Sequence, residues 1–174
     1  MKYATSAIVF AAAALLAGCA STPGSSSKAI ADPDLVIAHA NDTHSYIAGR
    51  NEQGVYCVND AECTGGYARM AAEIKRLKAQ HPDRVLALHA GDSFQGTLFF
   101  SVHRWPMLAK LDPLMPWDAI TPGNHEYDEG CEALSRYVQL LPFPMLAANM
   151  QRTEGTPLAR ARIEPFVVRE VGGH

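Results

Sequence analysis

Four short apolar runs divide the chain. They are residues 35–40, 84–89, 117–121 and 145–148. Their nearly continuous apolar character is typical of strands that are covered on both faces of a sheet. A further apolar segment, residues 166–168, predicts an edge strand. The pattern therefore indicates a sheet of short strands that begins near residue 35.

Amphipathic stretches lie between these strands. In residues 67–77, apolar side chains recur at helical spacing and charged side chains lie off that stripe. Residues 131–141 show the same pattern. A shorter helix is predicted over residues 102–111, where Pro106 is tolerated only near the first turn. Strands that alternate with helices indicate an α/β fold with mainly parallel strands and flanking helices.

Polar motifs directly follow three of the predicted strands. Asp-x-His occupies residues 42–44, Gly-Asp residues 91–92, and Gly-Asn-His-Glu residues 123–126. Right-handed crossovers place every strand-to-helix loop at one edge of a parallel sheet, where open sheets bind ligands. We therefore expect the three motifs to lie together beyond the carboxyl ends of the strands.

The side chains of these motifs have the chemistry of metal ligands. Asp42 and His44 offer a carboxylate and an imidazole, which suit zinc, manganese or iron better than calcium. Asn124 adds a neutral carbonyl oxygen, and His125 follows it directly. Taken singly, Asp-x-His is also typical of a turn aspartate beside a surface histidine. An aspartate before serine, such as Asp92, is equally typical of helix capping. The metal interpretation rests on the combination.

The N-terminal residues have the composition of a targeting signal. Residues 1–19 combine Lys2 with an apolar run, residues 7–17, that is too short to span a bilayer. They end in Leu-Ala-Gly-Cys, which resembles a bacterial lipobox. Cys19 is therefore predicted to carry lipid and to hold the protein at a membrane. An ordinary secretory signal cut nearby is the alternative.

The remaining chain divides into a tether and a domain. Residues 20–33 are predicted to form a flexible tether, and residues 34–174 a folded domain. The residue after Cys19 is Ala20, and an aspartate at that position would oppose sorting to the outer membrane. We therefore expect an exported protein that is lipid-anchored to the outer membrane and faces the periplasm. The net charge of −3 argues against a nucleic-acid-binding surface, which usually shows as a basic patch.

Export changes how the later cysteines are interpreted. Cys57 and Cys63 lie in one polar segment, and in an oxidising compartment they are expected to close a small loop as a disulfide. A metal knuckle is the alternative, but it needs two further ligands that no nearby residue supplies. Cys131 is left over, and we expect it as a buried thiol at the start of a helix.

Taken in order, the three motifs resemble those of the calcineurin-like metallophosphoesterase superfamily. Their flanks narrow the resemblance to exported 5′-nucleotidases, a family that includes periplasmic UDP-sugar hydrolases. These segments are Asn-Asp-Thr-His at 41–44, Gly-Asp-Ser-Phe-Gln-Gly-Thr at 91–97 and Gly-Asn-His-Glu-Tyr-Asp-Glu-Gly at 123–130. The resemblance implies part of the metallophosphoesterase fold, with ligands on strand-end loops. It also implies two divalent metal ions, zinc, manganese or similar, and a nucleotide or other phosphate ester as substrate.

The resemblance implies a role for each motif residue. The expected metal ligands are Asp42, His44, Asp92 and Asn124. Among them Asp92 bridges the two ions, because one carboxylate can give an oxygen to each. His125 is not a ligand in the family. It stabilises charge on the phosphoryl group or protonates the leaving oxygen, and Asp128 orients it. A helix N-cap is the alternative role for Asp128.

The family pattern is incomplete in this sequence. The later segments that complete the family's metal site, with at least two histidines, have no counterpart among the 174 residues, and neither has its C-terminal base-binding domain. We therefore expect the chain to be a fragment that is inactive by itself. One alternative is a short exported lipoprotein that keeps a metal- or phosphate-binding surface without turnover. The other is a thiosulfohydrolase-type relative on the same scaffold.

Overall fold

The computed structural model describes residues 32–57, 62–151 and 154–174. The predicted signal peptide, with Cys19, and most of the predicted tether lie outside these residues. Pro33–His174 forms one unit of the fold. Over the described ranges, no helix is both long and apolar enough to cross a bilayer.

A parallel sheet of five strands organises the fold, and its strands follow each other in sequence order. They are β1 (Val36–Ala40), β2 (Val85–His89), β3 (Ala119–Ile120), β4 (Met145–Leu146) and β5 (Ile163–Glu164). In register, Val36 pairs with Val85, and Leu88 with Ala119. The predicted α/β architecture with parallel strands is confirmed.

Four α-helices lie between the strands: α1 (Tyr67–Gln80), α2 (Leu98–His103), α3 (Trp105–Leu111) and α4 (Gly130–Gln139). The single helix predicted over residues 102–111 is wrong, because the backbone breaks at Arg104, where φ is 56°. Pro106 then lies in the first turn of α3. A proline there costs no helical hydrogen bond, since the first turn leaves its N–H groups unpaired.

Helices cover one face of the sheet. When each strand is added beside the previous one in the same direction, right-handed crossovers bring every helix to the same side. Val85 and Ala87 are accordingly buried, whereas Leu86 between them is half-buried and Ile37 is 55% exposed. The expectation that β1 and β2 are covered on both faces is therefore wrong for the described residues. An apolar strand sequence does not show which face of the sheet is covered by helices.

An aromatic core on the covered face fixes the loop that follows β2. The Phe94 ring centre lies 5.3 Å from that of Phe100 and 5.0 Å from that of Tyr137 on α4. All three rings are fully buried, and the Tyr137 hydroxyl donates to Asp112 Oδ2 at 2.6 Å. Large buried aromatic rings contribute strongly to core stability, so this packing fixes the loop that carries Phe94 against the core.

The long loop between β1 and α1 is closed on itself. The Cys57 and Cys63 sulfurs lie 2.09 Å apart, the pairing expected of an exported protein. The Arg50 guanidinium carbon lies 4.6 Å from the Tyr46 ring centre and 4.2 Å from that of Tyr56. Such cation–π stacking orders the chain that leads away from the first polar motif.

Two smaller expectations are corrected by the structure. The last strand of the sheet, at the edge opposite β1, is β5, whereas residues 166–168 are exposed and form no strand. Cys131 is exposed in the first turn of α4, not buried, because that helix turns Leu134 and Tyr137 toward the core. The polarity pattern predicted a strand at residues 166–168 where none forms, and it predicted α4 but not which side of that helix Cys131 lies on.

Candidate metal centre

Three loops at the carboxyl ends of the strands bring their polar side chains together. His44 follows β1, Asp92 follows β2 and His125 follows β3. One nitrogen or oxygen ligand atom from each of these residues lies within 4.8 Å of the other two. We call His44, Asp92 and His125 the ligand triad. Its two imidazoles and one carboxylate, gathered at one point, fit a zinc-like cation.

The other predicted ligands lie beside the triad. Asp42 Oδ1 is 3.7 Å from His44 Nε2, and the Asp42 side chain is 56% exposed. Asn41 donates to the other Asp42 oxygen. Asn124 is exposed and directly precedes His125. The structure thus brings His44 and Asp92 together, and it adds His125, which the resemblance treats as a catalytic group, to the group of closest donor atoms.

Successive backbone hydrogen bonds join the loop after β1 to the loop after β2. The N–H groups of Asp42 and His44 donate to the carbonyls of Gly91 and Asp92, at 3.0 and 2.9 Å. These bonds hold unusual backbone conformations, since φ is 50° at Asp42, 41° at His44 and 55° at Asp92. Left-handed φ in a residue other than glycine persists only where the surroundings enforce it, and such residues cluster at functional sites.

Glu126 binds the second and third loops together. Its side chain is 2% exposed, and its carboxylate accepts four backbone N–H groups. The donors are Asp92 at 2.9 Å, Ser93 at 2.7 Å, Phe94 at 3.2 Å and Gly123 at 2.5 Å. Such hydrogen bonds satisfy a buried carboxylate that would otherwise be costly. Sequence reasoning gave Glu126 no role, although its place in the third motif was a usable signal.

Two glycines allow the loops to approach this closely. A Cβ on Gly123 would lie 2.1 Å from Asp92 Oδ1, and a Cβ on Gly96, where φ is 90°, would lie 2.5 Å from the Cβ of His44. Both distances are far below ordinary contact. The absence of a side chain at these positions is therefore what lets Asp92 and His44 face one another across the loops.

His125 is paired with Asp128. Its Nδ1 lies 2.7 Å from Asp128 Oδ2, and this oxygen also accepts from Gln95 Nε2 at 2.7 Å. The carboxylate raises the pKa of His125, and the imidazole followed by the Gln95 amide lowers the pKa of Asp128. A carboxylate only accepts hydrogen bonds, so the proton of this contact sits on Nδ1. Asp128 is not the N-cap of α4, which is Glu129.

A cavity of about 400 Å³ opens beside the triad. It is lined by His44, Tyr46, Gln95, Gly96, His125 and Asp128. A cavity next to side chains that could hold a metal ion is where a ligand would be expected to bind.

His89 lies beneath the site as a buried, neutral side chain. Its Nδ1 accepts from the Gly91 N–H at 3.1 Å, so its proton sits on Nε2, 3.2 Å from Thr43 Oγ1. Burial lowers the pKa of His89 to about 4, and the negative charges of Asp42 and Asp92 oppose this only in part. Because His89 supports both loops by hydrogen bonds, its protonation would disturb them.

The free energy of unfolding should fall on acidification through the titration of His89. The unfolded imidazole takes up its proton near pH 6.5 and the folded one near pH 4, so the His89 contribution is complete above 6.5 and is lost toward 4. At most about 3 kcal/mol is involved. Urea titrations from pH 7 to pH 4 should show a weaker pH dependence in His89→Gln. The exposed control His103→Gln should follow the unmodified chain, and equal slopes in all three would contradict the assignment.

Asp112 acts with the opposite sign in the same pH range. Burial raises the pKa of Asp112 to about 7, so its contribution to stability falls as the pH rises from about 4 toward 7. The contribution of Asp112 cancels when the free energies of unfolding of the unmodified chain and of His89→Gln are compared at the same pH, since Asp112 is present in both. Burial, followed by the negative charge of Asp112, raises the pKa of the buried Tyr67 hydroxyl.

The sequence of this chain is similar to those of known proteins. The sequence model of a family described as calcineurin-like phosphoesterase matches residues 35–166. The chain is 34% identical to an apyrase of Tabanus yao over 139 residues, which are 80% of this chain and 25% of that protein. It is 35% identical to a 5′-nucleotidase of Rattus norvegicus over 142 residues, 80% of this chain and 24% of that protein. The chain thus spans about a quarter of the length of these relatives.

The fold of this chain is similar to those of solved structures from the same group of proteins. A 5′-nucleotidase precursor from Thermus thermophilus superposes with a TM-score of 0.66 at 30% identity, over 80% of this chain and 27% of that one. The NAD nucleotidase of Haemophilus influenzae superposes with a TM-score of 0.64, also at 30% identity, over 77% of this chain and 24% of that one.

Proposed function

The chain belongs to the calcineurin-like phosphoesterase family, and on that premise we propose that it is the N-terminal, metal-binding part of a 5′-nucleotidase-type hydrolase. The observation that carries the proposal is that His44 and Asp92 lie together with His125, and that Asp128 holds the His125 imidazole. A metal-ligating cluster next to an oriented imidazole is the combination that phosphate-ester hydrolysis requires. The relatives named 5′-nucleotidase support a nucleotide as the substrate.

The donor atoms of this chain suit divalent cations. In this proposal Asp42, His44, Asp92 and Asn124 would hold two such ions, zinc or manganese, and Asp92 would serve both. Bound divalent cations supply positive charge that polarises a phosphoryl oxygen and favours ionisation of water. The Asp92 Oδ1 accepts the backbone N–H of His125 at 3.0 Å, which holds the carboxylate in place.

His125 supplies the acid of the proposed reaction. The Asp128 carboxylate holds the imidazole by Nδ1 and raises the pKa of His125, which keeps the ring protonated to a higher pH than an ordinary histidine. From Nε2, a protonated ring donates to the leaving oxygen or to a phosphoryl oxygen on which charge develops. The cavity beside His44 and His125 provides room for the ester.

The proposal includes export and anchoring. Residues 1–19 with Cys19 fit a lipoprotein signal, and we assign the protein to the periplasmic face of a bacterial outer membrane. The gene product should then be recovered with the outer membrane fraction, and Cys19→Ser should release it. The same fraction pattern for Cys19→Ser and the unmodified protein would contradict the anchor.

Metal-dependent release of phosphate from AMP tests the proposed activity. We expect the longest product of the gene to hydrolyse AMP with Mn²⁺ or Zn²⁺ and to lose this activity in EDTA. The 174-residue chain, which has no counterpart of the family's later metal-site segments, should bind the same ions more weakly in calorimetry and show little turnover. If the ions bind but no product of the gene releases phosphate from AMP or UDP-glucose, a lipoprotein without turnover replaces the hydrolase. If the longest product of the gene does not bind the ions, the metal assignment fails.

A further inference from the structure

Gln95 is held in a fixed position next to the candidate metal centre. It lies in the loop after β2 with φ at 68°, a left-handed conformation that is strained for a residue other than glycine. Its neighbours prevent relaxation, because Glu126 accepts the Phe94 N–H and Gly96 packs directly against His44. The backbone therefore determines where the Gln95 side chain can reach.

That side chain reaches across to the third loop. Gln95 Nε2 donates to Asp128 Oδ2 at 2.7 Å, and the same oxygen meets His125 Nδ1 at 2.7 Å. The carboxylate is thus held by one group from the loop after β2 and by another from the loop after β3. The contact with Gln95 is therefore a bond between the two loops as well as a bond to Asp128.

Exposure explains why a second contact is needed. The His125 and Asp128 side chains are 35% and 32% exposed, so water competes for both partners. A half-exposed pair held by a single contact gains little, because solvent screens it and the side chains lose rotamer freedom. A second donor on the same oxygen restricts Asp128 to the rotamer that faces the imidazole.

We propose that Gln95 is a positioning residue, which holds Asp128 so that His125 keeps its proton on Nδ1 and presents Nε2 to the ester. The inference rests on the catalytic role proposed for the His125–Asp128 pair. Gln95 itself touches neither cation nor substrate in this assignment. Its contribution is the choice of ring nitrogen, since an imidazole held by Nδ1–H leaves Nε2 as the nitrogen that takes up and donates the proton.

The test reads the tautomer of His125 directly. Long-range ¹H–¹⁵N spectra of the metal-free 174-residue chain, recorded above the titration of His125, distinguish Nδ1–H from Nε2–H in each imidazole. Loss of the signal in His125→Asn assigns the resonance. We expect the Nδ1–H form to dominate. In Gln95→Leu the ratio of the two tautomers should shift toward Nε2–H by about tenfold, the size of one lost hydrogen bond to a charged group.

The controls separate positioning from general loss of structure. Gln80→Leu removes an exposed glutamine amide from the end of α1 and should leave the His125 tautomer ratio unchanged. Gln95→Glu keeps the side-chain length but turns a donor into a carboxylate against Asp128, so it should shift the ratio at least as far as leucine does. Unchanged His89 resonances in both Gln95 variants show that the core is intact.

Two results would overturn the inference. One is an Nε2–H form of His125 in the unmodified chain. The other is an unchanged tautomer ratio in a Gln95→Leu or Gln95→Glu chain that keeps its His89 resonances. Neither depends on turnover, because no metal or substrate is present. The absence of AMP hydrolysis would therefore refute the proposed function and leave this assignment standing.

Discussion

Asp92→Asn is expected to remove divalent-metal binding and phosphate-ester hydrolysis together. Asparagine keeps an oxygen that accepts the His125 N–H, and it tolerates the left-handed φ of 55° at this position. The change therefore removes a negative charge and one ligand oxygen with little effect on the loop. Because the carboxylate is the anionic member of the ligand triad, its loss should be felt at every cation that the site binds.

The expected size of this effect is large. Changing residues that only support a metal ligand typically costs 10–100-fold in affinity or activity, so losing the shared ligand should cost more than about 100-fold. Metal content by mass spectrometry and AMP hydrolysis should fall in parallel in the longest gene product. The matched control is Asp83→Asn, an exposed aspartate with φ of 58°. Wild-type metal content and rate in Asp92→Asn would contradict the bridging assignment.

Glu126→Ala is expected to destabilise the folded chain more than any exposed substitution. It leaves four backbone N–H groups without their acceptor, in a place where the Glu126 side chain is 2% exposed. Each buried donor left unpaired costs about 1–3 kcal/mol, so the free energy of unfolding should fall by about 3 kcal/mol or more. Urea denaturation measures the change.

A milder variant and a matched control make the result specific. Glu126→Gln keeps one acceptor oxygen and places an amide N–H₂ against backbone donors, so its loss should lie between those of alanine and the unmodified chain. Glu132→Ala removes an exposed glutamate that pairs with Arg136 at 2.9 Å, and such pairs are worth about 0.3–0.5 kcal/mol. Equal urea midpoints for Glu126→Ala and Glu132→Ala would refute the role of Glu126.

The two variants report on different properties of one site. Asp92 supplies charge and a ligand oxygen, whereas Glu126 holds the loop on which Asp92 lies. Asp92→Asn should therefore lose metal with its urea midpoint nearly unchanged. Glu126→Gln should lose stability first, and its folded fraction should keep some affinity for the cation. This contrast distinguishes a ligand from the scaffold that orients it.

Sequence by itself determined the order of the elements and the type of chemistry. Apolar runs and helical spacing are local signals, and they placed β1, β2, α1 and α4. Because the carboxyl ends of parallel strands lie at one edge of a sheet, the sequence also predicts that the three polar motifs lie together. His44 and Asp92 lie together as that argument requires.

Only the tertiary structure decided how the site is held. The contacts of Glu126 with the loop after β2, and of Gln95 with Asp128, join residues more than 30 positions apart. The uncovered face of β1 and the approach of His125 to the triad depend equally on distant neighbours. Polarity patterns report what a residue prefers over a few positions. Which partner satisfies a buried carboxylate or fixes a rotamer is set by the packing of separate loops, and no local pattern encodes it.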